Sequence, residues 1–337
     1  MKAFCFTGYG KNLKELLSFE DLPEPSVGRN DVLISVRAAA LNPADYKIIY
    51  GQAKLYKKFE FPSPIGFDVS GKVIAVGNSV QYFKVGDEVF SKVPWDQKGT
   101  VAPLIAVSEG NVGIKPRNIS FEEAAGLPLV GCTVLEAFKY AKVGLGTCAL
   151  IHAGSGGIGT FAIQYAKHLG AQVYTTTSTK NIELVKSLGA EKIIDYTKTD
   201  YREIANDVDV ILESLGGKYT KEAIKTVKKG GKVIAIIGYR DNETLKSIGI
   251  SGFLRFLNGI RGFSLIWLAK KREVEYKHIW TFPNRKLLDE IRTLVESEAV
   301  KPIIDKVYPF EEADKAMLYL ETNRARGKVI IRIENEV

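Results

Sequence analysis

The chain reads as an α/β protein: a doubly wound parallel sheet joined to a mostly β unit. Three observations predict this. The run Cys148-Ala149-Leu150-Ile151-His152-Ala153 is an apolar strand that enters a glycine turn, Gly154-Ser155-Gly156-Gly157-Ile158-Gly159, and then a helical stretch, Thr160 to Leu169. Strand and helix patterns alternate on from that turn, which argues for parallel strands with crossover helices. The first 120 or so residues show instead short strands between glycine-rich turns.

The elements follow in order. Met1 to Phe6 enters a short strand, and Asp31 to Ala38 alternates partly, as a half-buried strand does. Val69 to Gly77 is a strand ending in a turn, and Val85 to Phe90 is a turn followed by a strand. At Ser120 the period changes. Ser120 caps a helical region, 121–128, with Glu123 in the capping-box position. A helix over 132–143 leads to the glycine turn. Strands at 172–176, 192–196, 208–213 and 232–238 then alternate with helices at 181–188, where Gly189 stops the helix, and at 221–227. Residues 252–271 form one or two helices with a wide apolar face. Such a face packs in a core or a subunit interface. Because Arg261, Lys270, Lys271 and Arg272 flank it, a membrane surface is the other reading. Residues 287–295 make an amphipathic helix, and 327–333 a strand expected to pair back into the first sheet.

The glycine turn carries the chemistry. Gly154 permits the tight turn, Gly156 a close approach of pyrophosphate to backbone, and Gly159 close packing of helix on sheet. Amides of Ser155, Gly157 and Ile158 at the helix start face the phosphates. The turn therefore predicts a Rossmann-type domain that binds a nicotinamide dinucleotide. An NAD-specific domain carries an acid about 20 residues past the first glycine. The corresponding stretch, Thr175 to Asn181, has no carboxylate. Thr177, Ser178, Lys180 and Asn181 suit the 2′-phosphate of NADPH instead.

Composition narrows the alternatives. The 337 residues allow two ordinary domains, and 45% apolar with 26% charged residues is ordinary soluble composition. The net charge of +8 comes from scattered lysines, so nucleic acid is not expected as the main partner. The N-terminus lacks a signal-peptide pattern and no run is long enough to span a membrane. Three well-separated cysteines, Cys5, Cys132 and Cys148, suit a reducing cytoplasm.

Six segments taken together resemble the medium-chain dehydrogenase/reductase superfamily, most closely its zinc-independent quinone oxidoreductase and alkenal reductase branch. They are 40–45 (ALNPAD), 66–71 (GFDVSG), 85–90 (VGDEVF), 127–133 (LPLVGCT), the glycine turn, and 324–329 (RARGKV). The resemblance implies a GroES-like catalytic domain, residues 1–124, completed by 268–337. A Rossmann NADP(H) domain, 125–267, is inserted between them, and the unit is expected to be a homodimer, although some relatives are tetramers. It places Asn42, Asp45, Tyr46, Lys47 and Tyr50 beside nicotinamide and substrate. Asn42 can donate to a substrate oxygen, and Tyr46 and Tyr50 can stack or donate a proton. Related quinone reductases have a tyrosine where Lys47 stands. Lys47 can supply charge to an oxyanion or pair with Asp45. Asp68 is either a catalytic group or an acid that orients its loop. Tyr196 resembles a residue near the adenosine phosphate, and Thr133 and Gly238 positions near the nicotinamide. Lys328 either closes on the cofactor or is a surface lysine.

Zinc-dependent members place a cysteine where Asn42 stands, a His-Glu pair at Phe67-Asp68, and a cysteine or acid near Leu129. No metal is therefore expected, and His152 is expected as a satisfied core histidine. Without a Lewis acid, quinones and α,β-unsaturated carbonyls are easier hydride acceptors than alcohols are donors. Two other readings stay open: an enoyl-thioester reductase, and a non-catalytic NADPH-binding or interaction protein.

Overall fold

The computed structural model describes residues 1–334 except 55–57, 96, 98 and 206. The chain divides into two units: Met1–Cys132 with Phe282–Val337, and Thr133–Thr281.

In the second unit six strands lie parallel, in the order Lys192–Asp195, Gln172–Thr177, Cys148–Ile151, Val210–Glu213, Lys232–Ala235, Glu275–His278. The chain starts at the middle strand, winds outward to one edge, returns, and winds to the other. The switch in direction falls between Cys148–Ile151 and Val210–Glu213, where doubly wound sheets leave a crevice for ligand. Leu150, Ile211 and Val233 are among the core side chains of this sheet. Glu275–His278 was not anticipated. Its EYKH sequence carries little apolar signal because an edge strand pairs on one side only, here with Lys232–Ala235. That strand extends the unit to Thr281, past the residue 267 at which the sequence reading ended it. The stretch 252–271 is a single helix.

In the first unit the long strand Asp31–Leu41 is central. It pairs with Asp68–Val76, with Leu104–Ser108 and with the C-terminal strand Lys328–Arg332. Val329 stands opposite Leu41 and Ile330 opposite Ala40. A register shift between Val36 and Ala38 resets the alternation of its side chains. Val36, Ala39 and Leu41 enter the main core, whereas Ala38 and Ala40 meet Ala125 and Ile330 on the other face. Small alanines there let the short helix Phe121–Ala125 come close. The capping box is formed: Glu123 N donates to Ser120 Oγ at 3.2 Å, and Ser120 N to Glu123 Oε2 at 2.8 Å. The helical region is broken after Ala125, and a second helix, Pro128–Ala141, starts on a proline.

No helix among the described residues is long and apolar enough to cross a membrane. All three cysteines are free.

Candidate active site

In the second unit the glycine turn follows the strand Cys148–Ile151 at the switch point. The three glycines have different reasons to be glycine. A Cβ on Gly154 would lie 2.1 Å from Thr175 Oγ1, and one on Gly159 would lie 2.4 Å from the Ala153 carbonyl oxygen. Both are packing requirements of the turn. A Cβ on Gly156 would meet nothing nearer than 3.4 Å. The space over Gly156 is free in the protein, which leaves ligand approach as the reason for its missing side chain. Gly156 caps the helix Gly157–His168 without a side-chain acceptor, so the amides of Gly157, Ile158 and Gly159 lack intrahelical partners. This cradle fits a dinucleotide pyrophosphate.

The adjoining strand ends at Thr177, and the segment expected to hold the 2′-phosphate follows it. Thr177 Oγ1 donates to Ser155 Oγ at 3.2 Å, and Asn181 Nδ2 donates to Ser155 Oγ at 2.9 Å and to Ser178 Oγ at 3.3 Å. These contacts tie the glycine turn to the expected phosphate-binding segment. Asn181 Oδ1 is buried without a partner. Lys180 is exposed there, as is Tyr196, whose amide donates to the Thr177 carbonyl at 3.0 Å. Asp195, the acid that Thr179 contacts, accepts from Thr179 and Thr197 and pairs with Lys198. Those hydroxyls, Thr179 first, hold its carboxyl below the usual range. The residues therefore fit a 2′-phosphate better than a 2′-hydroxyl.

One residue of this site escaped the sequence reading. Glu213 is fully buried at the end of its strand and accepts from Leu215 N (2.6 Å), Gly216 N (2.7 Å) and Thr220 Oγ1 (2.8 Å). It builds the loop on the far side of the switch point. The signal was an acid closing an apolar run ahead of a Gly-Gly pair. Gly238 has φ +94, and its nearest neighbour is Gly216 Cα at 3.8 Å from a built Cβ. Thr133 is buried, with Thr281 Oγ1 3.3 Å from its hydroxyl.

In the first unit, Asn42, Asp68 and Lys328 converge from three elements. Asn42 ends the strand Asp31–Leu41 and caps the helix Pro43–Ile49; Asp68 opens one neighbouring strand and Lys328 the other. Lys328 is no surface lysine: it is buried, with Nζ 2.5 Å from Asn42 Oδ1 and 3.2 Å from Asp68 Oδ2. Asn42 Nδ2 donates to Asp68 Oδ2 at 2.9 Å, and Leu129 N to Asp68 Oδ1 at 2.7 Å. Residues standing at three ligand positions of zinc-dependent relatives thus come together around an ammonium group. Their donor set contains no thiolate and no imidazole, which does not fit zinc. Among the described residues no three His, Cys, Asp or Glu side chains gather as a metal set.

Asp45 does not pair with Lys47. Positions two apart on a helix do not face each other, and the Asp45 carboxylate instead accepts from Asn42 N (2.7 Å) and Gly66 N (3.2 Å). Burial pushes its carboxyl up to about 7, helped by the Asp68 charge. Burial lowers the Lys47 ammonium below its usual range. Both tyrosine hydroxyls are engaged: Tyr46 donates to Asn323 Oδ1 at 3.0 Å and Tyr50 to Glu321. Burial first, then Glu321, pushes the Tyr50 phenol up to about 12. His152 is in the core as expected, but it is not satisfied. Both ring nitrogens lack partners, the ring packs edge-on against Tyr201, and burial lowers its pKa to about 4.

A doubly wound sheet with a dinucleotide turn at its switch point, in one chain with a β-rich unit closed by a C-terminal strand, defines the two-domain dehydrogenase class. Comparison with known proteins agrees. The family model for the alcohol dehydrogenase GroES-like domain matches residues 28–115, and that for zinc-binding dehydrogenase matches 188–331. The chain is 36% identical to a 2-methylene-furan-3-one reductase of Solanum lycopersicum, over 98% of this chain and 79% of that protein. It is 35% identical, with the same coverage, to the chloroplastic NADPH-dependent alkenal/one oxidoreductase of Arabidopsis thaliana. A solved quinone oxidoreductase from Coxiella burnetii matches with a TM-score of 0.86 and 32% identity, over 99% of each chain. The chain belongs to the medium-chain dehydrogenase/reductase superfamily, in its zinc-independent quinone oxidoreductase and alkenal reductase-like branch.

Proposed function

We propose that the protein transfers hydride from NADPH to quinones or α,β-unsaturated carbonyls. The observation that carries this reading is the Asn42–Asp68–Lys328 cluster, whose amide, carboxylate and ammonium replace a Lewis-acid ligand set. Activating an alcohol without such a centre is hard, whereas a conjugated acceptor is already electrophilic.

NADPH, when bound, supplies the hydride. The amides at Gly157 to Gly159 hold the pyrophosphate, with Ser155 and Gly156 shaping the approach. Thr177, Ser178, Lys180 and Asn181 hold the 2′-phosphate, with Tyr196 against the adenosine. Thr133 and Gly238 border the nicotinamide half. In the first unit Lys328 holds Asn42 and Asp68 in place, and through them the start of the helix that presents Tyr46, Lys47 and Tyr50. Lys47 polarises the acceptor oxygen, and burial, which lowers its pKa, eases the release of its proton. The tyrosine hydroxyls position the helix, being bound to Asn323 and Glu321. The working unit is a homodimer; the free cysteines support placing it in the reducing cytoplasm.

The test is oxidation of NADPH and NADH by metal-free protein, scanned over quinones, enals, enones and enoyl-thioesters. Preferred NADPH turnover on a quinone or enone is expected. Preference for a thioester would move the assignment to enoyl reduction. Tight NADPH binding with no acceptor turned over would sink the catalytic reading.

A further inference from the structure

The helix Gly252–Lys271 has two apolar faces, and the protein uses one. Gly262, Leu265 and Ala269 are buried. Gly262 sits so close to the Tyr239 ring that a Cβ there would fall 2.0 Å from it. The helix is therefore seated firmly. On the opposite side Phe253, Phe256, Ile260, Phe263 and Trp267 recur at three- and four-residue spacing, which is one helical stripe. They are 70%, 66%, 62%, 68% and 53% exposed. A surface helix ordinarily turns charge outward at these positions. A continuous row of large apolar side chains marks a contact surface.

Charge identifies the contact. The helix carries Arg255, Arg261, Lys270 and Lys271 and no acid. None of the four forms an ion pair among the described residues. Arg255 Nε is buried without a hydrogen-bond acceptor. It borders an open groove of about 690 Å³ lined also by Asn242, Phe256, Ile260 and Phe263. Lys271 lies over the Trp267 ring, 5.1 Å from its centroid, so an indole and an ammonium share one end of the row. A second copy of the helix does not answer this pattern. A two-fold contact would set these cations against the same cations with no acid between them. A lipid surface answers it, taking the apolar row into the acyl boundary and the cations at the phosphates.

We propose that the helix Gly252–Lys271 docks the protein on an anionic phospholipid bilayer, with Arg255, Arg261, Lys270 and Lys271 at the headgroup phosphates. The full chain should co-sediment with vesicles of equimolar phosphatidylcholine and phosphatidylglycerol, far less with phosphatidylcholine alone, and should be released by high salt. Phe256→Ser/Phe263→Ser alters exposed positions only, so its circular dichroism and melting temperature should match the parent's. Its vesicle partitioning should fall at least about tenfold. Binding should also shift Trp267 emission to the blue, a shift absent from Trp267→Phe. The proposal is overturned by equal binding to both vesicle types, by no binding, or by unchanged partitioning of the double variant. It is likewise overturned if the double variant converts a dimer to monomer while the parent ignores vesicles.

Discussion

The Lys328 ammonium lies 3.2 Å from the Asp68 carboxylate, and Asn42 bridges the two. All three side chains are buried. An ion pair in such a place contributes little over an apolar pair of the same shape, but losing one member leaves a buried charge alone. Lys328→Met is therefore expected to destabilise the protein by about 3 kcal/mol. Lys328→Met/Asp68→Leu should recover part of the loss, because no unpaired charge remains. Urea unfolding of the two singles and the double closes the cycle. Additive losses would mean that the contact has no energetic content.

The glycine turn separates folding from binding. Gly159→Ala puts a methyl 2.4 Å from a backbone carbonyl, so it should lower the melting temperature by several degrees. Gly156→Ala fits the turn, with φ −83 and its nearest neighbour at 3.4 Å. It should melt with the parent and yet bind NADPH at least about tenfold more weakly, as titrated by nucleotide fluorescence. Equal NADPH affinity would remove Gly156 from the binding surface.

Those glycines were legible because their reasons are local: a turn, a helix start and a backbone approach all leave a fixed spacing. The same holds for the capping box at Ser120 and for Lys328–Arg332, whose apolar pattern demanded a sheet. Glu275–His278 left no such trace, since an edge strand needs little apolar sequence. The Lys328 environment was illegible for a different reason. Its partners stand 286 and 260 positions away, and no local pattern tells a buried lysine from an exposed one. The Asp45–Lys47 pairing fails on geometry: positions two apart on a helix do not face each other, and two backbone amides already donate to Asp45.

On the proposed reading, Lys180 and its hydroxyl neighbours set the cofactor choice. Lys180→Ala removes one exposed cation from the expected 2′-phosphate site. A charge-assisted contact of about 1.4 kcal/mol corresponds to a tenfold change. The KM for NADPH should rise about tenfold in low salt, and the KM for NADH should stay within about twofold. A parallel rise for both would place Lys180 on a part that the two cofactors share.

Asp45 sets a pH dependence of stability. Its ordinary value is 3.8; burial, with the Asp68 charge, takes it to about 7 against the pull of Asn42 N, Lys328 and Gly66 N. Between those values the unfolded chain has lost the proton and the folded protein keeps it. The folded state then binds more protons, so raising pH through this window weakens the fold. The stabilisation is fully present below 3.8, declines as pH rises, and is gone above about 7. A shift of this size corresponds to a few kcal/mol at most. Asp45→Asn cannot ionise and keeps one acceptor oxygen for Asn42 N or Gly66 N. It should cost a roughly constant increment from the lost bond and should flatten the profile. The comparison is unfolding free energy of parent and variant at several pH values across the window. If the two curves run parallel, Asp45 is ionised in the fold throughout, and the two amides together with Lys328 outweigh its burial.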